Sequence, residues 1–62
     1  MSKHEEILNY IEGLEIGKQV SVRGIANRMK VADGTAYRAI KEAEILGLVA
    51  VNDRSGTVRV AV

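Results

Sequence analysis

The sequence has no cysteine, proline, phenylalanine or tryptophan, and it has one histidine, His4. Without cysteine there is neither a disulfide framework nor a thiolate metal site, and one histidine is too few for the familiar zinc sites. No run of about 18 apolar residues is present, and the polar N-terminus is unlike a signal peptide. We therefore expect a cytoplasmic protein with no metal, cofactor or membrane segment.

The chain is also short, at 62 residues, of which 47% are hydrophobic. A domain of this size buries only about 60% of the surface that its unfolded chain exposes, so the fold has to be regular. No glycine-rich phosphate loop occurs, and the serines have only His4 as a potential base. These features predict one domain, residues 1–62, that is not an enzyme.

Positive charge is concentrated in the middle of the chain. Residues 18–41 contain six lysines and arginines and a single acidic residue, Asp33, whereas residues 1–17 contain one lysine and four glutamates. Such a basic segment is typical of a surface that binds a polyanion, although ordinary solvated cations would give the same count.

Three helices are predicted from local signals. Ser2 and Glu5 have the spacing of a capping box, and apolar residues then recur at helical spacing, which indicates a helix over about 3–13. Ile16 and Val20 follow as a possible short strand. Ser21 is the cap of a two-turn helix in which Gly24 suggests close approach of another backbone. A turn over 30–34 leads to a third helix at about 33–46, which Gly47 ends.

The C-terminal region predicts a β-hairpin. Two β-branched runs, at 48–51 and 57–62, flank a turn-rich segment at 52–56. Strict alternation in the second run places Val58, Val60 and Val62 on the packed face and leaves Thr57, Arg59 and Ala61 facing water. The fold predicted is a winged helix–turn–helix, mainly α with a small β-hairpin (α+β class), in which three helices precede the wing.

Two stretches, VSVRGIANRMKVADGTAYRAIKEAEILGLV and RSGTVRV, resemble the winged helix of GntR-type bacterial regulators. KHEEILNYIE and GTAYRAIKEAE are more similar still to the N-terminal winged helix of bacterial proteins with DRTGG and CBS domains. The resemblance implies sequence-specific binding of double-stranded DNA, with helix 33–46 in the major groove and the wing, about 48–62, alongside. It also implies the N-terminal module of a longer regulator. Ala32 stands where the family usually has a serine cap, for which Asp33 could substitute.

The expected DNA contacts fall in three groups. By position in the family, Thr35, Tyr37, Arg38 and Lys41 contact the operator, and Gly56 and Thr57 lie at the wing tip. By chemistry, Arg38 is suited to a guanine edge, and Gly34 permits close approach of the helix. The remaining cations are suited to phosphates, which fix position but carry little sequence information; they are Arg23, Arg28, Lys30 and, in the wing, Arg54.

Several alternatives stay open at this point. Arg38 could pair with Glu42 four residues later, and Tyr37 could lie over an aliphatic surface. Ile45 and Leu46 lie off the packing stripe of the third helix, so either the hairpin covers them or they form a contact surface. The rival function is therefore a protein–protein or dimerisation module that does not bind DNA.

Overall fold

A computed structural model describes residues 2–52 and 56–60, and within them three helices and three strands follow the order that the sequence predicts. Six elements are present: α1 (Lys3–Glu12), β1 (Gln19–Val20), α2 (Val22–Met29), α3 (Asp33–Ile45), β2 (Val49–Asn52) and β3 (Gly56–Arg59). This order confirms the predicted winged helix of the α+β class. Arg54 and residues 61–62 of the predicted hairpin lie outside the described residues.

Serine hydroxyls begin the first two helices. Ser2 accepts from the Glu5 amide at 3.1 Å, and Ser21 accepts from the Gly24 amide at 2.9 Å. A Cβ atom at Gly24 would lie 2.6 Å from the Ser21 hydroxyl oxygen, so the glycine leaves room for the cap of its own helix. The expected approach of another backbone at Gly24 is wrong.

Gly47 ends α3 with a left-handed residue. Its φ is +84°, its amide donates to Glu44, and the Leu48 amide donates to Ala43 at 2.9 Å. These two bonds are the Schellman motif, which satisfies carbonyls that the helix leaves unpaired. The chain thereby reverses into β2 immediately after α3.

The core is formed where α3 packs against α1 and α2. Ala36, Ala39 and Ala43 are fully buried, and the fully buried Ile7 and Ile11 of α1 belong to the same cluster. Alanine allows neighbouring helices to approach closely, so α3 is held tightly on its inner side. Its outer side is left to solvent.

The three strands form an antiparallel sheet in the order β1-β3-β2. β1 contains only Gln19 and Val20, and Ile16 is 60% exposed outside it, so the expectation that Ile16 shares this strand is wrong. Thr57 pairs with Val20 on one side and Val51 on the other. The wing is therefore hydrogen-bonded to the segment between α1 and α2.

Arg59 faces the interior, contrary to the alternation prediction. It is 7% exposed, while Val58 and Val60 are only half-buried. Its Nε donates to the Ile11 carbonyl at 3.1 Å and its Nη2 to the Glu12 carbonyl at 3.2 Å, both in the last turn of α1. Its Nη1 donates to the carbonyls of Leu48, at 3.0 Å, and Val60. The guanidinium thus neutralises the negative end of α1, where the helix has no basic residue of its own.

We predict that Arg59→Ala lowers the free energy of unfolding by about 3 kcal/mol or more, because several buried carbonyls lose a charged donor. Arg59→Lys should recover only part of this loss, since one ammonium lacks the planar fork that reaches separate segments. Urea unfolding followed by circular dichroism measures both variants. The matched control is Arg38→Ala, an exposed arginine, which should change stability by less than about 0.5 kcal/mol.

Candidate nucleic-acid interface

The third helix, α3, begins without a side-chain cap. Ala32 occupies the N-cap position with no side-chain hydrogen bond, and Asp33 lies in the first helical turn. The Asp33 carboxylate is 3.7 Å from Nε of Arg23 on α2, and both side chains are largely exposed. Asp33 therefore serves as a first-turn acid and not as the substitute cap. The positive charge of Arg23 is paired with the Asp33 carboxylate.

Gly34 exposes the backbone of the first turn of α3. A Cβ atom at this position would have no heavy atom within 4 Å, and its backbone is helical rather than left-handed. Neither crowding nor a special turn within the described residues requires a glycine here. Glycine in a helix costs about 1 kcal/mol relative to alanine, so Gly34 weakens a helix start that already lacks a cap.

The outward face of α3 carries Arg38. No described residue forms a hydrogen bond or ion pair with its side chain. The alternative pairing with Glu42 is not formed, and the Glu42 carboxylate instead accepts from Nε2 of His4 at 3.0 Å. Within the described part of the chain, Arg38 is therefore a free guanidinium on an exposed helix face.

Tyr37 and Lys41 flank Arg38 and contact each other. Tyr37 is 51% exposed, and Nζ of Lys41 lies 5.7 Å from the centroid of its ring. Lys41 is also 3.6 Å from the Glu44 carboxylate. Thr35, nearer the start of the helix, is half-buried. The side chains of Tyr37 and Lys41 thus lie outside the core, and the Glu44 carboxylate offsets part of the lysine charge.

The two cations from the end of α2 are in different environments. Arg28 stacks on Tyr10 of α1, with its guanidinium carbon 4.8 Å from the ring centroid. Lys30 has a left-handed backbone, φ +56°, and its side chain is exposed with no partner among the described residues. Glycine is the usual residue at such a helix end, so a lysine here costs backbone strain.

Two of the three residues predicted to contact DNA from the wing, Gly56 and Thr57, lie among the described residues. Gly56 begins β3 with φ +71°, opposite Asn52. Thr57 is half-buried in the middle strand, next to the tip and not at it. Arg54, the basic residue expected in the wing, lies outside the described residues.

Ile45 and Leu46 are exposed at the end of α3. The exposed fractions are 84% for Ile45 and 55% for Leu46, and Val51 in β2 is 54% exposed. The alternative in which the hairpin covers Ile45 and Leu46 is therefore wrong. Both of these side chains therefore remain in contact with water.

Sequence reasoning missed the contact between His4 and Glu42. The two residues are 38 positions apart, and no local pattern connects them. The outward acidic residue of α3 and the start of α1 meet only because these two helices pack together. A histidine within the first turn of an N-terminal helix carries no signal of such a partner.

Comparison with other proteins identifies the type of winged helix. No family model matches the chain. A GntR family transcriptional regulator from Listeria monocytogenes superposes with a TM-score of 0.80 and 27% identity, and PhnF from Mycobacterium smegmatis with 0.75 and 30%. Each superposition covers 97% of this chain, together with 59% of the Listeria chain and 27% of PhnF. The fold is a GntR-like winged helix.

A sequence relative is much longer than this chain. The uncharacterized protein YtoI of Bacillus subtilis strain 168 is 58% identical over 59 residues, which are 95% of the chain and 13% of YtoI. The GntR-like winged helix thus corresponds to a small part of that relative's length. The Listeria neighbour is a transcriptional regulator, which agrees with the expectation that this domain is not an enzyme.

The described residues, 2–52 and 56–60, include no cluster of three or more histidine, aspartate or glutamate side chains placed to hold a metal ion. None of the helices in this part of the chain is both long enough and apolar enough to span a membrane.

We predict that Gly34→Ala stabilises this GntR-like winged helix by up to about 1 kcal/mol, because alanine is a better helix former and its methyl group enters open space. Gly24→Ala is the matched control, a glycine in the first turn of the neighbouring helix. Its methyl group would displace the Ser21 cap, at a cost of about 1 kcal/mol. Because the better helix propensity of alanine offsets the lost cap at Gly24, the unfolding temperature should rise for Gly34→Ala and change little for Gly24→Ala. Destabilisation by Gly34→Ala would contradict the open environment of Gly34.

Proposed function

We propose that this chain is the sequence-specific, double-stranded DNA-binding module of a bacterial transcriptional regulator in the cytoplasm. The observation that carries the proposal is the free guanidinium of Arg38, which stands one turn beyond the exposed backbone of Gly34 on the outward face of α3. The GntR-like fold supports the same function, since its similar structures include a transcriptional regulator.

In this proposal α3 lies in the major groove. Arg38 donates two hydrogen bonds to O6 and N7 of a guanine, the pairing that arginine makes most often with a base edge. Gly34 lets the start of the helix approach the bases closely, so the stabilised variant Gly34→Ala should bind DNA more weakly. Thr35 and Tyr37 contact a phosphate, a sugar or a thymine methyl group next to this guanine.

Phosphates are bound by the cations around this helix. Lys30 has no partner among the described residues and is therefore the strongest candidate, followed by Lys41 and Arg28, whose charges lie beside aromatic rings. Arg23 acts differently: it offsets the Asp33 charge, which would otherwise repel the DNA backbone at the start of α3. Arg54, Gly56 and Thr57 of the wing complete the proposed phosphate or minor-groove contacts.

Two substitutions separate the reading of bases from the binding of phosphates. Lys30→Gln should weaken binding to a selected duplex and to a random-sequence pool equally, and should reduce the slope of log affinity against log salt by about 0.9. Arg38→Ala should lower the preference for the selected duplex by about 1–3 kcal/mol, because it removes a bidentate base contact. Fluorescence anisotropy titrations at several salt concentrations measure both effects.

Lys3→Gln is the control, an exposed cation at the start of α1, where a change of charge should leave both affinities nearly unchanged. Affinity of the unmodified chain that does not respond to salt would remove the proposed function. Equal behaviour of Arg38→Ala and the unmodified chain would show that a different face of the molecule reads the DNA.

We also propose that Ile45 and Leu46 contact a second copy of the chain. A single small module buries only about 600–1,000 Å² on DNA, and a dimer on half-sites about 10 base pairs apart binds more tightly. The exposure of these two side chains favours such a contact, and it equally motivates the rival function of a dimerisation module without DNA binding. Further domains, as in proteins with DRTGG and CBS domains, remain part of the proposal for the full-length protein.

The variant Ile45→Ser/Leu46→Ser tests this surface. We expect the unmodified chain to self-associate in sedimentation equilibrium and the double variant to be monomeric, because its apolar contact area is lost. The unfolding free energy should change little, since both side chains are outside the core. If the unmodified chain is monomeric at every concentration measured, the proposed dimer is contradicted. Self-association without salt-dependent DNA binding would favour the rival function.

A further inference from the structure

Glu42 is the acidic residue that follows Arg38 by about one helical turn on α3. It lies four residues after Arg38 on α3, which is the spacing at which opposite charges on a helix form an ion pair. Its carboxylate instead lies against α1, where Oε2 accepts from Nε2 of His4 at 3.0 Å. Both side chains are partly exposed, His4 at 35% and Glu42 at 48%, so the pair sits at the border of the outward face.

The other charged groups near this pair have nearby partners of their own. On α1, Lys3 is 3.9 Å from Glu6, and on α3, Lys41 is 3.6 Å from Glu44. The two cations that could otherwise compete for Glu42 thus have an acid on their own helix. His4 supplies the contact that draws Glu42 toward α1.

A Glu42 side chain that is not held would oppose DNA binding in two ways. It would form the helical ion pair with Arg38, which would have to break before the guanidinium could reach a base. Its carboxylate would also add negative charge beside the phosphate backbone. Exposed helical pairs are worth about 0.3–0.5 kcal/mol, which makes the first effect about twofold in affinity.

We propose that His4 is a positioning residue of the DNA-reading face: by holding Glu42 against α1, it leaves Arg38 free to contact a base. This inference rests on the proposed function, since it concerns how that same face is kept available. It assigns to the N-terminal helix an influence on α3 that goes beyond packing.

A double-mutant cycle on DNA tests the proposal. His4→Ala should weaken binding to the duplex selected from a random pool by about two- to threefold, since the freed Glu42 acts on Arg38 and on phosphates. His4→Ala/Glu42→Gln should restore the original affinity, and Glu42→Gln alone should bind at least as tightly as the unmodified chain. Lys3→Ala is the matched control, because it removes a cation from the same helical turn without freeing Glu42.

Stability separates positioning from a purely structural role. Urea unfolding should show that the double variant is no more stable than His4→Ala, because neither contains the contact between α1 and Glu42. Restored affinity without restored stability is the expected result. If the double variant binds as weakly as His4→Ala, then His4 either touches DNA itself or acts only through the fold, and the proposal is overturned.

A measurement without DNA keeps this inference distinct from the proposed function. Solvent exchange of the Arg38 Nε proton, followed by NMR, should be fast in the unmodified chain and slower in His4→Ala, where Glu42 becomes its partner. The slower exchange should disappear in His4→Ala/Glu42→Gln. Unchanged exchange in His4→Ala overturns the role of His4 whether or not the chain binds DNA. Absence of DNA binding with the expected exchange pattern would instead remove the proposed function alone.

Discussion

The geometry of this small domain depends on the hydrogen bonds that the buried guanidinium of Arg59 donates. It donates to carbonyls of the last turn of α1, to Leu48 just after α3, and to Val60 beside it in the chain. Its backbone is also engaged, because its amide donates to Lys18 at 2.8 Å and its carbonyl accepts from Gly17 at 2.7 Å. The base of the wing is therefore fixed to the end of α1 and to the chain directly following α3.

This arrangement also explains which parts of the fold could be predicted from the sequence. The helices follow from signals within a few residues, namely the Ser2 and Ser21 caps, the apolar periodicity and Gly47, and the structure confirms them. The inward side of β3 was predicted wrongly, because alternation shows that neighbours face opposite sides but not which side a long polar residue takes. The acceptors that make burial of Arg59 favourable come from residues 11 and 12, remote in sequence, so no local rule could reveal them.

The residues of the candidate site could be predicted from the sequence, but the partners of their charged groups could not. The basic segment and the outward position of Arg38 follow from charge and helical spacing. The partners of the cations could not be predicted in this way, because Arg28 stacks on Tyr10 of another helix and Arg23 lies beside Asp33 across the turn. Among the described residues, the charge count thus overstates the free positive charge of this face. Among the described cations of the candidate site, Lys30 and Arg38 are those with neither an acidic nor an aromatic partner.

The left-handed backbone at Lys30 has a consequence for how this turn would respond to selection. Glycine or asparagine adopts that conformation more readily than lysine does. Enrichment of variants for heat resistance alone would therefore favour loss of the cation at the very corner that leads into α3. Replacement of Lys30 by glycine or asparagine would raise thermal stability and at the same time remove a positive charge from this corner. Selection for thermal stability alone would therefore yield a less basic surface beside α3.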